Sequence, residues 1–278
     1  MKTMTAPKLC LNTITIPGTL QEQVAAAAAA GFAGIGVWAK DVQECPGGAA
    51  AAHRLIRERG LAVPEFLVLR EFQGLMPERR AQAFTEAEAL FGFMRGIGAD
   101  TLVACGTTAP GTDRELDAAA QDLRDLGDLA SRHEMRIAYE FLAWAAWIKD
   151  IATAWEVLRR VDRENVGLVL DTFHIFMAGS RLEDLKPIPP HRIFLVHLVD
   201  APAMALDVLQ ISRHHRLFPG EGVLPIRDLV QRVQAKGYTG FYSLEIFNDE
   251  YWQRERVALA RAGMASIQRL FDGVTERR

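Results

Sequence analysis

Ile137-Ala-Tyr-Glu140, Val166-Gly-Leu-Val-Leu-Asp171, Phe194-Leu-Val-His197 and Tyr242-Ser-Leu-Glu245 are the four stretches on which the fold turns. Each is a short, nearly unbroken apolar run that closes on one acid or one histidine. Such runs read as strands buried on both faces, as strands of a parallel sheet are. Working outward, similar runs cover residues 9–15, 34–38, 63–69 and 101–105. With the first four, extended to 136–141, 166–171, 193–199 and 241–247, they make eight expected strands.

Between the runs lie helical patterns. Ile151, Trp155, Leu158 and Val161 recur every three to four residues, as do Ile226, Leu229, Val230 and Val233. Thr112-Asp-Arg-Glu115 has the spacing of a capping box that opens a helix. Gly31, Gly60 and Gly237 each stand after a helical run and before a strand, where a helix ends. The alanines from 25 to 30 read as a helix packed closely on a sheet. Eight βα units in one series, without a phosphate-cradling glycine loop after the first strand, predict a single (β/α)₈ barrel, the TIM barrel of the α/β class. One such domain over residues 1–278 is expected, since no Pro-, Gly- or Ser-rich linker divides the chain.

A formal charge of -3 over 278 residues, with no basic stripe, argues against a nucleic-acid partner. The three cysteines, Cys10, Cys45 and Cys105, are odd in number and far apart, as expected of reduced thiols in a cytoplasmic protein. No apolar segment follows the polar start, and none approaches the roughly 18 residues of a membrane helix.

Glu140, Asp171, His197 and Glu245 fall near the C-terminal ends of strands five to eight. In a barrel those ends converge on one rim, where active sites form. Three carboxylates and an imidazole brought together repel or take up protons unless a cation lies between them. Hard oxygen donors with one nitrogen and no thiolate suit one divalent ion: Mn²⁺, Mg²⁺, Co²⁺ or Zn²⁺. Any one of the four alone would read as a loop contact or a helix cap; four on successive strands read as a metal site. His174, three residues beyond Asp171, could reach a substrate hydroxyl or the open position of the metal. Arg70, at the end of the third run, and Trp144 are further candidate substrate contacts, and Arg213-His-His-Arg216 forms a basic cluster after the seventh. Trp38 and Phe72 could wall a pocket or simply pack the barrel. No GxSxG elbow and no HExxH is present.

Asn165-Val-Gly-Leu-Val-Leu-Asp-Thr-Phe-His174, Val196-His-Leu-Val-Asp200, Arg216-Leu-Phe-Pro-Gly-Glu-Gly222 and Ser243-Leu-Glu-Ile-Phe247 together resemble the sugar phosphate isomerase/epimerase superfamily of xylose isomerase-like barrels. The nearest resemblance is to 2-keto-myo-inositol (inosose) isomerase. It implies a metal held by Glu140, Asp171, His197 and Glu245, with Glu140 and Glu245 also moving protons, and His174 and Arg216 on substrate oxygens. Leu67-Val-Leu-Arg-Glu-Phe72 departs from that pattern, because an arginine there resembles bacterial 3-dehydroshikimate dehydratases.

The expected chemistry is therefore proton transfer between adjacent carbons of a keto-sugar or keto-inositol through an enediolate, catalysed by Glu140, Glu245 and His174. A dehydratase using Arg70 on a substrate carboxylate is the alternative, and a non-catalytic sugar-binding barrel the third reading. The expected partner is a small sugar or cyclitol, with no membrane and no nucleic acid; a homodimer is compatible with the sequence.

Overall fold

The computed structural model describes residues 6–110 and 114–272. Eight parallel strands close on themselves in chain order. They are β1 (Lys8–Asn12), β2 (Gly34–Trp38), β3 (Phe66–Leu69), β4 (Thr101–Cys105), β5 (Arg136–Glu140), β6 (Val166–Asp171), β7 (Ile193–His197) and β8 (Phe241–Leu244). The outer layer runs α1 (Leu20–Ala29), α2 (Ala39–Gln43), α3 (Gly48–Glu58), α4 (Pro77–Ile97) and α5 (Leu116–Ser131). It continues with α6 (Ile151–Val161), α7 (Thr172–Met177), α8 (Val208–His214), α9 (Ile226–Ala235) and α10 (Arg256–Phe271). No helix among the described residues is long and apolar enough to cross a membrane.

The core is in two parts, as a barrel requires. Outward-facing strand residues such as Leu102, Ile137, Leu168 and Leu244 pack under the helices. Leu67, Val103, Ala138, Val169 and Leu195 fill the barrel itself. The fully buried Ala26 and Ala27 let α1 approach the sheet closely. Gly31, Gly60 and Gly237 carry positive φ at the ends of α1, α3 and α9, as their spacing predicts.

Several boundaries differ from the sequence expectation. The first run ends at Asn12, because its side-chain Oδ1 accepts the N–H of Ile14 and starts a 3₁₀ turn. The third begins at Phe66 rather than 63, since Pro64 has no N–H for a ladder. The seventh and eighth stop at His197 and Leu244. There Thr15 Oγ takes over from the ladder, donating to Leu244 O and accepting from Ile246 N–H. Thr112 and Asp113 of the expected capping box lie outside the described residues, and α5 starts at Leu116. A complete capping box is formed instead by Thr19 and Glu22 at the head of α1.

Candidate metal centre

Glu140 and Asp171 close β5 and β6, His197 closes β7, and Glu245 follows β8 directly. All four side chains are buried, and each offers one ligand atom within 4.8 Å of the others. His197 Nδ1 lies 3.3 Å from Glu140 Oε1, 4.0 Å from Asp171 Oδ2 and 3.8 Å from Glu245 Oε2. Neither Glu140 Oε1 nor His197 Nδ1 has a hydrogen-bond partner, although both are fully enclosed. The 3.3 Å between them is therefore proximity without hydrogen-bond alignment. Two orphaned polar atoms aimed at one point, among three carboxylates, are what a divalent cation would satisfy. The four residues the sequence singled out thus meet at one place and fit such an ion.

The charge balance explains the protonation of the cluster. Burial lifts the Glu245 carboxyl to about 8; Arg216 opposes this and Glu140 adds to it. Burial also works to raise Glu140, but His197 beside it wins and holds it below its ordinary value. Burial works to lower His197, and the charges of Glu65 and Glu140 overcome it, leaving the imidazole above its usual value. His174 is pushed down to about 3, chiefly by burial, and is neutral. Its Nδ1 accepts the N–H of Ala143 at 3.3 Å, so the proton sits on Nε2, which faces Asp171 Oδ2 at 3.8 Å. Cys105 Sγ donates to Glu140 Oε2 at 3.2 Å, so Oε1 is the oxygen left for an ion.

Above the cluster opens a cavity of about 140 Å³ whose wall includes Trp38, Arg70, Trp144, His174, Arg213 and Arg216 together with Glu140 and Glu245. Arg70 is exposed, stacks over Trp38 at 5.4 Å from the ring centre, and has no ion-pair partner among the described residues. Glu71 turns the chain there through φ 51° and grips the next βα loop by accepting from Thr108 N–H at 3.0 Å and Ala109 N–H at 3.1 Å. Trp144 packs edge-on against His174, 4.9 Å between ring centres. Phe72, by contrast, is fully buried against Tyr139 and takes no part in the cavity wall. A larger concavity of about 720 Å³ lies at the other end of the barrel, around Lys8, Arg136 and Phe241, the first residues of β1, β5 and β8. It holds none of the clustered donors, so the chemistry belongs to the smaller one.

Arg216 lines the cavity and also reaches into the cluster, which the sequence did not foretell. It is buried, and Nη1 bridges Asp171 Oδ2 at 3.2 Å and Glu245 Oε2 at 3.1 Å while Nε and Nη2 bond Ser212. It ties two of the clustered carboxylates to one another, and most of its donors are used within the protein.

Sequence reasoning assigned no role to four residues, Glu65, Asn12, Ser243 and Asp200. Glu65 accepts a 2.7 Å hydrogen bond from His197 Nε2, and Ser243 and Asn12 donate to the same carboxylate. An acid interrupting an apolar run was the available signal, but Glu65 stands ahead of its strand rather than at the rim. Asp200 accepts from the N–H groups of Ala201, Gly220, Gly222 and Leu224, and so folds the Pro-Gly-Glu-Gly loop onto the rim.

Fold and site together define a barrel of one known class, with a candidate metal centre at its rim. Residues 24–270 match the xylose isomerase-like TIM barrel family, and the chain belongs to it. Among its relatives is a 3-dehydroshikimate dehydratase of Pseudomonas aeruginosa, 36% identical over 257 residues, which are 92% of this chain and 40% of that protein. An inosose isomerase of Halalkalibacterium halodurans is 31% identical over 132 residues, 47% of this chain and 46% of the relative. Among solved structures, a xylose isomerase-like TIM barrel/4-hydroxyphenylpyruvate dioxygenase fusion protein superposes with a TM-score of 0.93 at 31% identity, over 97% of this chain and 43% of that one. The chain thus spans about two fifths of the length of the dehydratase it matches.

Proposed function

We propose that this chain is a divalent-metal-dependent lyase that removes water from a small cyclic hydroxy-keto acid of the 3-dehydroshikimate type. One observation carries the reading: the guanidinium of Arg70 stands in the cavity wall without a carboxylate partner among the described residues, in the same cavity as Glu140, Glu245 and His174. A substrate with a carboxylate at one end and a ketone beside a hydroxyl at the other would engage both. The dehydratase similarity over 92% of the chain supports the same reading and moves dehydration ahead of the isomerisation expected from the sequence.

Glu140, Asp171, His197 and Glu245 would hold the cation, which supplies Lewis acidity that makes the carbon next to a ketone easier to deprotonate. Glu245, set between Arg216 and the cluster, would take the proton from that carbon. The carbon's electrons form a double bond as the neighbouring β-hydroxyl leaves, and Glu245 returns the proton so that water departs. The dienone so formed aromatises as one proton leaves the ring CH₂ and the ketone oxygen gains one, becoming a phenol, so that water is the sole by-product. His174 would donate its Nε2–H to the oxygen on which charge grows, at no cost of prior deprotonation because it is already neutral. Trp38, Trp144 and Leu142 would exclude water.

The test is to incubate the chain with 3-dehydroshikimate and Mn²⁺, Mg²⁺, Co²⁺ or Zn²⁺ and follow protocatechuate by absorbance. Arg70→Met should raise KM by about tenfold to a hundredfold, as loss of a charge-assisted contact does, with a smaller change in kcat. Absence of product with every metal would sink the proposal. The isomerase reading shares the first proton removal and is favoured by the similarity to inosose isomerase. It predicts solvent deuterium entering an inosose with no loss of water.

A further inference from the structure

Glu65 enters the barrel just ahead of β3, beneath the rim that carries the four donors, and its side chain is 0% exposed. Its Oε2 lies 2.7 Å from His197 Nε2. Its Oε1 receives Ser243 Oγ at 2.7 Å and Asn12 Nδ2 at 3.3 Å. The orientation of Asn12 is settled by its other bonds, since its Oδ1 accepts from Trp38 Nε1 at 2.8 Å and from Ile14 N–H at 3.2 Å. Only the amide nitrogen is left for Glu65. Room for the carboxylate exists because position 36 is glycine; a methyl group there would overlap it.

A buried carboxylate surrounded by donors accepts on both oxygens, so His197 must carry a proton on Nε2. That leaves Nδ1 as the nitrogen that faces Glu140, Asp171 and Glu245. We infer that Glu65 is a positioning residue: held by Asn12, Ser243 and the gap at Gly36, it fixes the orientation and tautomer of His197 so that Nδ1 is presented to a divalent cation. This rests on the metal reading above. A carboxylate behind a ligating histidine both orients the ring and makes it a stronger donor. A carboxylate serving only to satisfy a buried histidine would affect folding and leave metal affinity alone.

The test is Glu65→Gln, nearly the same shape but neutral. With its oxygen toward His197, the new amide nitrogen opposes Asn12 Nδ2. With its nitrogen toward His197, it drives the imidazole proton onto Nδ1, where an ion should sit. Either way Mn²⁺ and Co²⁺ should bind about tenfold to a hundredfold more weakly by calorimetry. The visible absorption of bound Co²⁺ should also change, while circular dichroism and the melting transition show a folded barrel. Ser243→Ala is the second variant, removing one donor to Glu65, and should weaken Co²⁺ binding roughly two- to fivefold. Wild-type protein that binds neither ion at millimolar concentration overturns the metal reading itself. Wild-type protein that binds, with a folded Glu65→Gln of equal affinity and an identical Co²⁺ spectrum, overturns the role of Glu65 alone. If Glu65→Gln does not fold, unchanged affinity and spectrum in Ser243→Ala have the same consequence.

Discussion

Protons and a metal ion should compete for the cluster, and the competition can be given a size. Glu245, lifted by burial to about 8, holds a proton at neutral pH when no ion is bound. A cation needs that carboxylate ionised, so its apparent affinity is divided by 1 + 10^(8 − pH) on account of Glu245. The loss is about tenfold at pH 7 and about a hundredfold at pH 6, close to 1.4 kcal/mol for each decade. His197, held above its ordinary value by Glu65 and Glu140 against the effect of burial, adds a second proton to be displaced. Titration calorimetry with Mn²⁺ between pH 6 and 9, repeated in buffers of different ionisation enthalpy, counts the protons released. Wild-type affinity should climb about fiftyfold between pH 6 and 8 on account of Glu245 alone, and further as His197 loses its proton. Glu245→Gln should bind more weakly at pH 9 but with a slope lower by one proton. A wild-type affinity that changes less than about threefold between pH 6 and 8, with no buffer dependence, would refute the account of the cluster.

The same groups make the metal-free protein less stable as pH rises. Glu245 has a raised folded value, so its folded form keeps a proton that the unfolded chain releases above about 4.5, and stability falls from there toward pH 8. His197 acts in the same direction, its contribution present below about 6.5 and lost as pH rises through its higher folded value, so melting at pH 8 should come earlier than at pH 5.5, and added Mn²⁺ should remove the difference. Asp200→Ala strips the acceptor from four backbone N–H groups at 2.8–3.0 Å and should cost about 3 kcal/mol in urea denaturation; a loss below about 1 kcal/mol would contradict its role as the loop's anchor. Gly36→Ala should displace Glu65 and lower stability by about 1–3 kcal/mol, with a measurable loss of Mn²⁺ affinity; wild-type behaviour in both would mean that the space is not needed.

Much of the architecture could be read from the chain alone. Burial on both faces of a parallel sheet leaves a mark that is local in sequence, namely apolar runs of four to six residues separated by helical periods, and all eight were visible at Cys10, Val37, Leu67, Val103, Ala138, Val169, Leu195 and Ser243. Glu140, Asp171, His197 and Glu245 were equally legible, because an ionisable group at the end of such a run breaks a pattern that nothing else explains. Strand ends were not. They depend on side chains distant in sequence, such as Thr15 bonding Leu244 and Ile246 across more than two hundred residues.

Only the closed barrel brings Glu65 beneath His197, 132 positions away along the chain, and Asn12 and Ser243 beside it. It is likewise the folding of α8 and the loop after it that turns Arg216 inward onto Asp171 and Glu245, while Arg70 lines the cavity unpaired among the described residues. Residue type and local period determined which groups could do chemistry. Which nitrogen of His197 faces the carboxylates, and which arginine lines the cavity without an ion-pair partner among the described residues, followed from long-range packing, because each is set by partners that meet only when the eight strands close.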